Sequence, residues 1–213
     1  MEQELLKVFD NKHNPIGVET REEIHKLGLW HETFQCWFIG NHNEKQYIYL
    51  QLRSDLKKDY PGLLDITAAG HLLDSETVFD GIREVKEELG IDVLFEELYS
   101  LGVMKYSVVN GDLIDNELAH VFIYDCALEW EQFSLQVEEV SGIVRVELTQ
   151  FVSLWLSELE GIEIIGFKVE GDGARSPICQ KVNKTSFVPH EQSYYEEICR
   201  EIISFTSKNQ LSR

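Results

Sequence analysis

Basic residues are scarce in this chain: 19 Lys and Arg stand against 38 Asp and Glu in 213 residues, a formal charge of −19. Binding a nucleic-acid backbone needs clustered Lys and Arg, so the deficit argues against a nucleic-acid partner. It argues equally against an anionic membrane surface. No run approaches the roughly 18 apolar residues of a membrane-spanning helix. The opening MEQELLKVFD lacks the basic start and apolar core of a secretory signal. Cysteine is sparse too. Cys36, Cys126, Cys179 and Cys199 lie far apart with no Cys-x-x-Cys pair, which predicts reduced, mostly buried thiols in a cytoplasmic protein. Four prolines, no repeat and no Pro/Gly-rich linker leave nothing to mark a second full-sized core.

What is present reads as globular. Residues 1–30 look like a small appendage to a main domain over 31–213. Leu5, Val8 and Phe9 suggest a short strand, Asn14 to Gly17 a turn, and Thr20 to Leu27 a helix opened by a Thr-x-x-Glu capping box. FQCWFIG and QYIYLQLR, separated by the polar NHNEK, predict a β-hairpin. LLDIT, VMKYSVV, LAHVFIYDC and GIVRVEL predict further strands. Helices are expected over Val78–Leu89, over Gln150–Glu160 after a Thr149 cap, and around Tyr195, Ile198, Cys199, Ile202 and Phe205. Strands with a few interspersed helices indicate an α+β fold.

The chemistry concentrates between Gly70 and Ile91. Thr77-x-x-Asp80 can cap the helix start, and Gly90 before Ile91 suits a left-handed stop. Ile82, Val85 and Leu89 share one helical face, while Glu84, Glu87 and Glu88 share another. Carboxylates at that spacing repel by a few tenths of a kcal/mol per pair. A divalent cation reverses the sign, and hard oxygen ligands suit Mg²⁺ or Mn²⁺. Read alone, three glutamates on a helix are more often a solvated face.

The run Arg83-Glu84-Val85-Lys86-Glu87-Glu88-Leu89-Gly90-Ile91, preceded by Gly70 and Glu76, resembles the box of the Nudix hydrolases. The resemblance implies a Nudix α/β/α sandwich with a mixed β-sheet and Mg²⁺-dependent hydrolysis of a small-molecule diphosphate, for example a nucleoside diphosphate derivative. It implies Glu84, Glu87 and Glu88 as metal ligands, joined by the Gly70 carbonyl, with Arg83 orienting a glutamate by a salt bridge. Glu84, Glu88 and Glu117 are candidate general bases. One departure stands out: six residues separate Glu76 from Arg83, where the family has seven. Either Gly70 and Glu76 keep the family positions with one residue lost at the helix start, or Ala69 and Ser75 take them.

Residues 25 to 125 further resemble the Nudix branch of isopentenyl-diphosphate isomerase, through HETFQCWF and LQLRSDLKKDYPGLLDITAAGH. In those isomerases a cysteine just before Gly-His transfers the proton; here that position is Ala69. Positions similar to His25, His31 and His71 bind metal there, with acids of a segment that resembles Asp115-Asn116-Glu117. Allylic isomerisation needs an acid and a base on opposite faces. Ala69 removes one of them, and Cys36 lies in a strand that reads as core. Hydrolysis is therefore expected. Isomerisation and ligand sensing by a non-catalytic Nudix domain are the alternatives. His25 and His31 are read as ordinary hydrogen-bonded histidines. His71 and Arg53, at the ends of the segment before the box, are candidate substrate contacts, and Trp37, Tyr47 and Tyr106 are read as core. A homodimer is compatible with the sequence.

Overall fold

The computed structural model describes residues 4–111, 113–156 and 159–210. A hairpin, β1 (Leu5–Phe9) and β2 (Pro15–Thr20), leads into helix α1 (Arg21–Leu27). Thr20 Oγ1 accepts from the Glu23 amide, and Gly28 at φ +63° ends the helix, as the capping box and glycine predict. The predicted turn at Asn14–Gly17 falls earlier: Asp10 accepts from the amides of Lys12 and Asn14, and β2 begins at Pro15. A carboxylate that captures two amides sets the reversal before the proline does.

The long strands β3 (Trp30–His42) and β4 (Lys45–Arg53) form the expected hairpin. Near its open end the two strands part, and residues 64–71 enter between them. There β5 (Leu64–Asp65) pairs with β4, and β6 (Ala68–His71) pairs with β3. The chain then turns through a 3-10 segment at Asp80–Ile82 into α2 (Arg83–Leu89). This is shorter than the helix expected from Val78. Thr77 spends its hydroxyl and amide on Asp80 in the preceding turn. Gly90, at φ +70°, stops the helix with its amide on the Lys86 carbonyl.

Beyond it come β7 (Leu98–Asn110), β8 (Leu113–Cys126), β9 (Val140–Glu147), α3 (Leu148–Trp155), β10 (Ile162–Val169), β11 (Arg175–Val182) and α4 (Gln192–Gln210). The helix expected over Gln150–Glu160 begins two residues earlier; 157 and 158 lie outside the described residues. The hairpin β10–β11 was not anticipated, because Ile162–Val169 carries Glu163, Gly166 and Lys168 among its apolar residues.

The sheet runs β11-β10-β9-β4-β3-β1-β2, with β8 parallel to β3 and β7 antiparallel to β8. It is a mixed sheet between helices, the α+β Nudix sandwich expected. Alternation along β3 sorts its side chains. Phe34, Cys36 and Phe38 pack with Val85 and Leu89 of α2. Trp37 and Ile39 pack on the other face with Phe151, Tyr195 and Ile198 of α3 and α4. Val85 and Leu89 are fully buried, and each contributes about 1.5–3 kcal/mol by leaving water. That burial, more than the propensity of a seven-residue helix, holds α2 and its glutamates in place.

Candidate active site

The strand that enters the fork between β3 and β4 carries the site. Its residues Ala69, Gly70 and His71 lie opposite Gln35, Phe34 and Thr33 of β3. The Ala69 amide donates to Glu88 Oε2 over 3.2 Å. A Cβ on Gly70 would stand 2.1 Å from Glu84 Oε1, so only glycine lets the strand approach that carboxylate. His71 extends toward a second cluster.

The structure settles the spacing of the box. Arg83 donates to both oxygens of Glu76 and, at 3.2 Å, to the His71 carbonyl. Gly70 faces Glu84. Gly70 and Glu76 thus hold the box positions, and the missing residue is absorbed between Thr77 and Ile82, in a turn and a 3-10 segment. Arg83 also reaches Glu84 at 2.8 Å and Glu87 at 3.0 Å.

Burial pushes Glu84 up to about 7, with Glu87 and Glu76 adding repulsion against the pull of Arg83. Burial raises Glu88 as well, with Glu84 adding to it. Like carboxylates drawn from water have such values when no cation neutralises them. Ligand atoms of Glu84, Glu87 and Glu88 do not converge on one point among the described residues. Arg83 draws two of them to itself.

Convergence occurs next door. One nitrogen from each of His25, His31 and His71 lies within 4.8 Å of the others, and His31 lies equally near Asp115 and Glu117. Helix α1 supplies His25, β3 His31, β6 His71 and β8 the two acids. His25 Nδ1 donates to the Arg21 carbonyl at 2.8 Å, and His31 Nδ1 to the Leu29 carbonyl at 3.1 Å. With those protons engaged, Nε2 of each ring presents a lone pair. Both point at Asp115 Oδ1, over 3.4 and 3.5 Å. His31 Nε2 and Asp115 Oδ1 are buried without hydrogen-bond partners.

Burial holds His31 below its ordinary value, and burial with His31 and Arg21 nearby holds His71 low too. Neutral imidazoles and a carboxylate aiming lone pairs at one point fit a cation, and the donor set suits a divalent transition ion. His25 and His31 are hydrogen-bonded, as read from the sequence, and they also meet His71 and the acids in the grouping that the isomerase resemblance implies.

Glu117 ends the cluster. Its Oε2 accepts from Thr33 Oγ1 at 2.6 Å, Tyr106 Oη at 2.6 Å and Gln35 Nε2 at 3.1 Å. Burial and then Asp115 push its carboxyl up to about 8. Trp37 and Tyr106 are core as expected, and Tyr106 is in addition a buried hydrogen-bond donor at the site. Tyr47 lies against the Arg145 guanidinium, away from these groups. Arg53 is occupied, donating to Asp65 at 2.9 Å and to the carbonyls of Asp59 and Tyr60. Arg21 and Lys57, which the motif did not single out, act electrostatically on His71, and Lys57 also opposes the rise of Glu88. Only the folding of α1 and of the loop after β4 toward β6 brings them there.

A strand, a loop closed by Arg83 and Glu76, and a glutamate-bearing helix on an α/β/α sandwich define a Nudix domain. The family model for the NUDIX domain matches residues 29–163, and the chain belongs to that family. It is 37% identical over 203 residues to an uncharacterized Nudix hydrolase of Clostridium acetobutylicum, across 95% of this chain and 98% of that one. An isopentenyl-diphosphate Delta-isomerase of Photorhabdus laumondii is 30% identical over 121 residues, 56% of this chain and 66% of its own. Among solved structures, a Deinococcus radiodurans protein superposes with a TM-score of 0.50 over 72% of this chain and 90% of that one. At 16% identity that likeness shows the fold alone. The chain is an enzyme of the Nudix hydrolase type. No helix among the described residues is long and apolar enough to cross a membrane.

Proposed function

We propose that this enzyme hydrolyses the diphosphate linkage of a small molecule of the nucleoside-diphosphate type, using Mg²⁺ or Mn²⁺, in the cytoplasm. The observation that carries the reading is β6, which sets Gly70 against Glu84 and Ala69 against Glu88 of the box helix and carries His71 into the histidine cluster. Glu84, Glu87 and Glu88, with the Gly70 carbonyl, would hold one cation. His25, His31, His71, Asp115 and Glu117 would hold another. Divalent cations supply charge neutralisation and Lewis acidity to a diphosphate.

The protein's own groups do the rest. Arg21, paired with Asp59, and Lys57, paired with Glu139, are the nearby cations that a phosphate would draw from those carboxylates. Arg53, held through Asp65, is a further phosphate contact if the substrate displaces a carbonyl from its guanidinium. In hydrolysis a water oxygen bonds to one phosphorus, and the bridging P–O bond breaks. Glu84, Glu88 or Glu117 takes the water's proton. Arg83 orients Glu84 and Glu87 from its anchor on Glu76.

The five-residue histidine and acid cluster also favours a second reading, isomerisation of isopentenyl diphosphate. Against it, Ala69 offers only a methyl where a proton-transfer group is needed. Phosphate release from a panel of diphosphates with Mg²⁺ or Mn²⁺, run beside an assay for the allylic isomer, separates the two. No turnover on any substrate would leave ligand sensing.

A further inference from the structure

The C-terminal segment lies past residue 163, where the Nudix match ends, yet it reaches the site. The Val188 amide donates to the Leu64 carbonyl at 2.9 Å, and His190 Nε2 meets Asp65 Oδ1 at 3.2 Å. Tyr195 Oη donates to the Val188 carbonyl at 2.8 Å. These contacts seat the start of α4 over the open end of the sheet fork. From there Tyr194 donates its hydroxyl to Gln35 Oε1 at 2.5 Å. Gln35 in turn donates Nε2 to Tyr106 Oη at 3.0 Å and to Glu117 Oε2 at 3.1 Å. Tyr194, Gln35 and Tyr106 are all more than nine-tenths buried.

We propose that Tyr194, acting through Gln35, is a positioning residue that aims the Glu117 carboxylate at the histidine cluster. An amide has one accepting and one donating end. A tyrosine hydroxyl on Oε1 leaves Nε2 to face Glu117, and with it fixed, Oε2 of Glu117 is saturated by three donors. So anchored, the Glu117 carboxyl keeps a ligand atom within 4.8 Å of those of His31 and Asp115, the latter also its side-chain partner. Without the Tyr194 hydroxyl the amide can rotate and bring its own oxygen against the carboxylate, which turns a support into a repulsion. Gln35 stands directly opposite Ala69 in the β3–β6 register, so a helix outside the matched domain steadies the site at the residue that separates this chain from the isomerases. The kinetic part of this inference rests on the hydrolase reading; the binding part does not.

Co²⁺ is the probe, because a cation held by imidazoles gives hyperfine-shifted ring N–H proton resonances that an all-carboxylate site cannot. The comparison uses the full chain, Tyr194→Phe, the volume-conserving Gln35→Met, and the double variant. Tyr194→Phe should weaken Co²⁺ binding, read on those resonances, about 10–100-fold, as loss of an outer hydrogen bond to a ligand does. Gln35→Met should do the same, and the double variant should be no weaker than the weaker single. On a diphosphate that the wild type cleaves, kcat should fall with KM unchanged.

Wild-type Co²⁺ affinity in either folded variant would overturn the proposal. Multiplying losses in the double variant, or no shifted imidazole resonances in the wild type, would also overturn it. A lower melting temperature with unchanged Co²⁺ affinity would show a packing role only. If the wild type cleaves no diphosphate, the hydrolase reading fails while the Co²⁺ comparison still decides the positioning claim.

Discussion

His31 Nε2 stands 3.5 Å from Asp115 Oδ1, and neither atom has a hydrogen-bond partner. Burying two such atoms uncompensated costs about 1–3 kcal/mol each. A fold that keeps them facing each other, with His25 Nε2 3.4 Å from the same oxygen, suits a positive charge between them. His31→Ala and Asp115→Asn should each abolish tight Mn²⁺ or Co²⁺ binding at this cluster, measured by calorimetry. Unchanged stoichiometry and affinity would remove the cluster from the site.

Glu88→Gln should separate activity from stability. The side chain is 6% exposed and its carboxyl is pushed up by burial. The neutral amide can still accept from the Ala69 amide, so the metal-free variant should melt no lower than the wild type. Phosphate release should drop by roughly two orders of magnitude or more, in line with loss of a group that stabilises the transition state. Exposed Glu87→Gln should behave alike in turnover and also stay folded. Retained turnover in both would contradict the box as the catalytic cation site.

Gly70→Ala tests the close approach of β6 to α2. The added methyl would collide with Glu84 at 2.1 Å, so the carboxylate must swing away or the strand must shift. Weaker activation by Mg²⁺, read as a higher cation concentration for half-maximal rate, is the expected result. Wild-type activation would show that Glu84 can leave its place at no cost.

The metal-free protein should lose stability between pH 6.5 and 8. Glu84 and Glu117 fold with carboxyls raised from an ordinary 4.5 to about 7 and 8. Between 4.5 and those values the folded chain binds protons that the unfolded chain has released, so stability falls as pH rises. His31 and His71, held low, act oppositely, but their effect fades as pH rises past about 6.5. The carboxylates then dominate. Melting temperatures in chelator should therefore drop from pH 6.5 to 8, and Mn²⁺ should reverse the trend. A rise in chelator over that interval would refute this account.

The isomerase alternative turns on Ala69. Wild-type enzyme mixed with isopentenyl diphosphate and Mg²⁺ or Mn²⁺ should give no allylic isomer by NMR, since nothing at Ala69 can carry the proton. Appearance of the isomer would overturn the hydrolytic assignment.

The sequence by itself determined the local pieces. Runs of aromatic and β-branched residues around the polar NHNEK made β3 and β4 legible, Gly90 marked the end of α2, and the spacing of Glu84, Glu87 and Glu88 carried the family resemblance. These signals lie within a few residues of one another, and the physics that reads them is local. The total of −19 said little: most of that charge lies outside the box and serves solubility.

Tertiary structure alone decided the rest. It showed that Glu76 keeps its partner Arg83 despite the missing residue, because a 3-10 turn absorbs the difference. It brought His25 and His71 to His31, and His31 to Asp115 and Glu117, from α1, β3, β6 and β8, and it laid Tyr194 on Gln35 across 159 residues of chain. No periodicity links positions so far apart. Their meeting is set by where long strands pair and where a sheet divides, and packing of the whole domain fixes both.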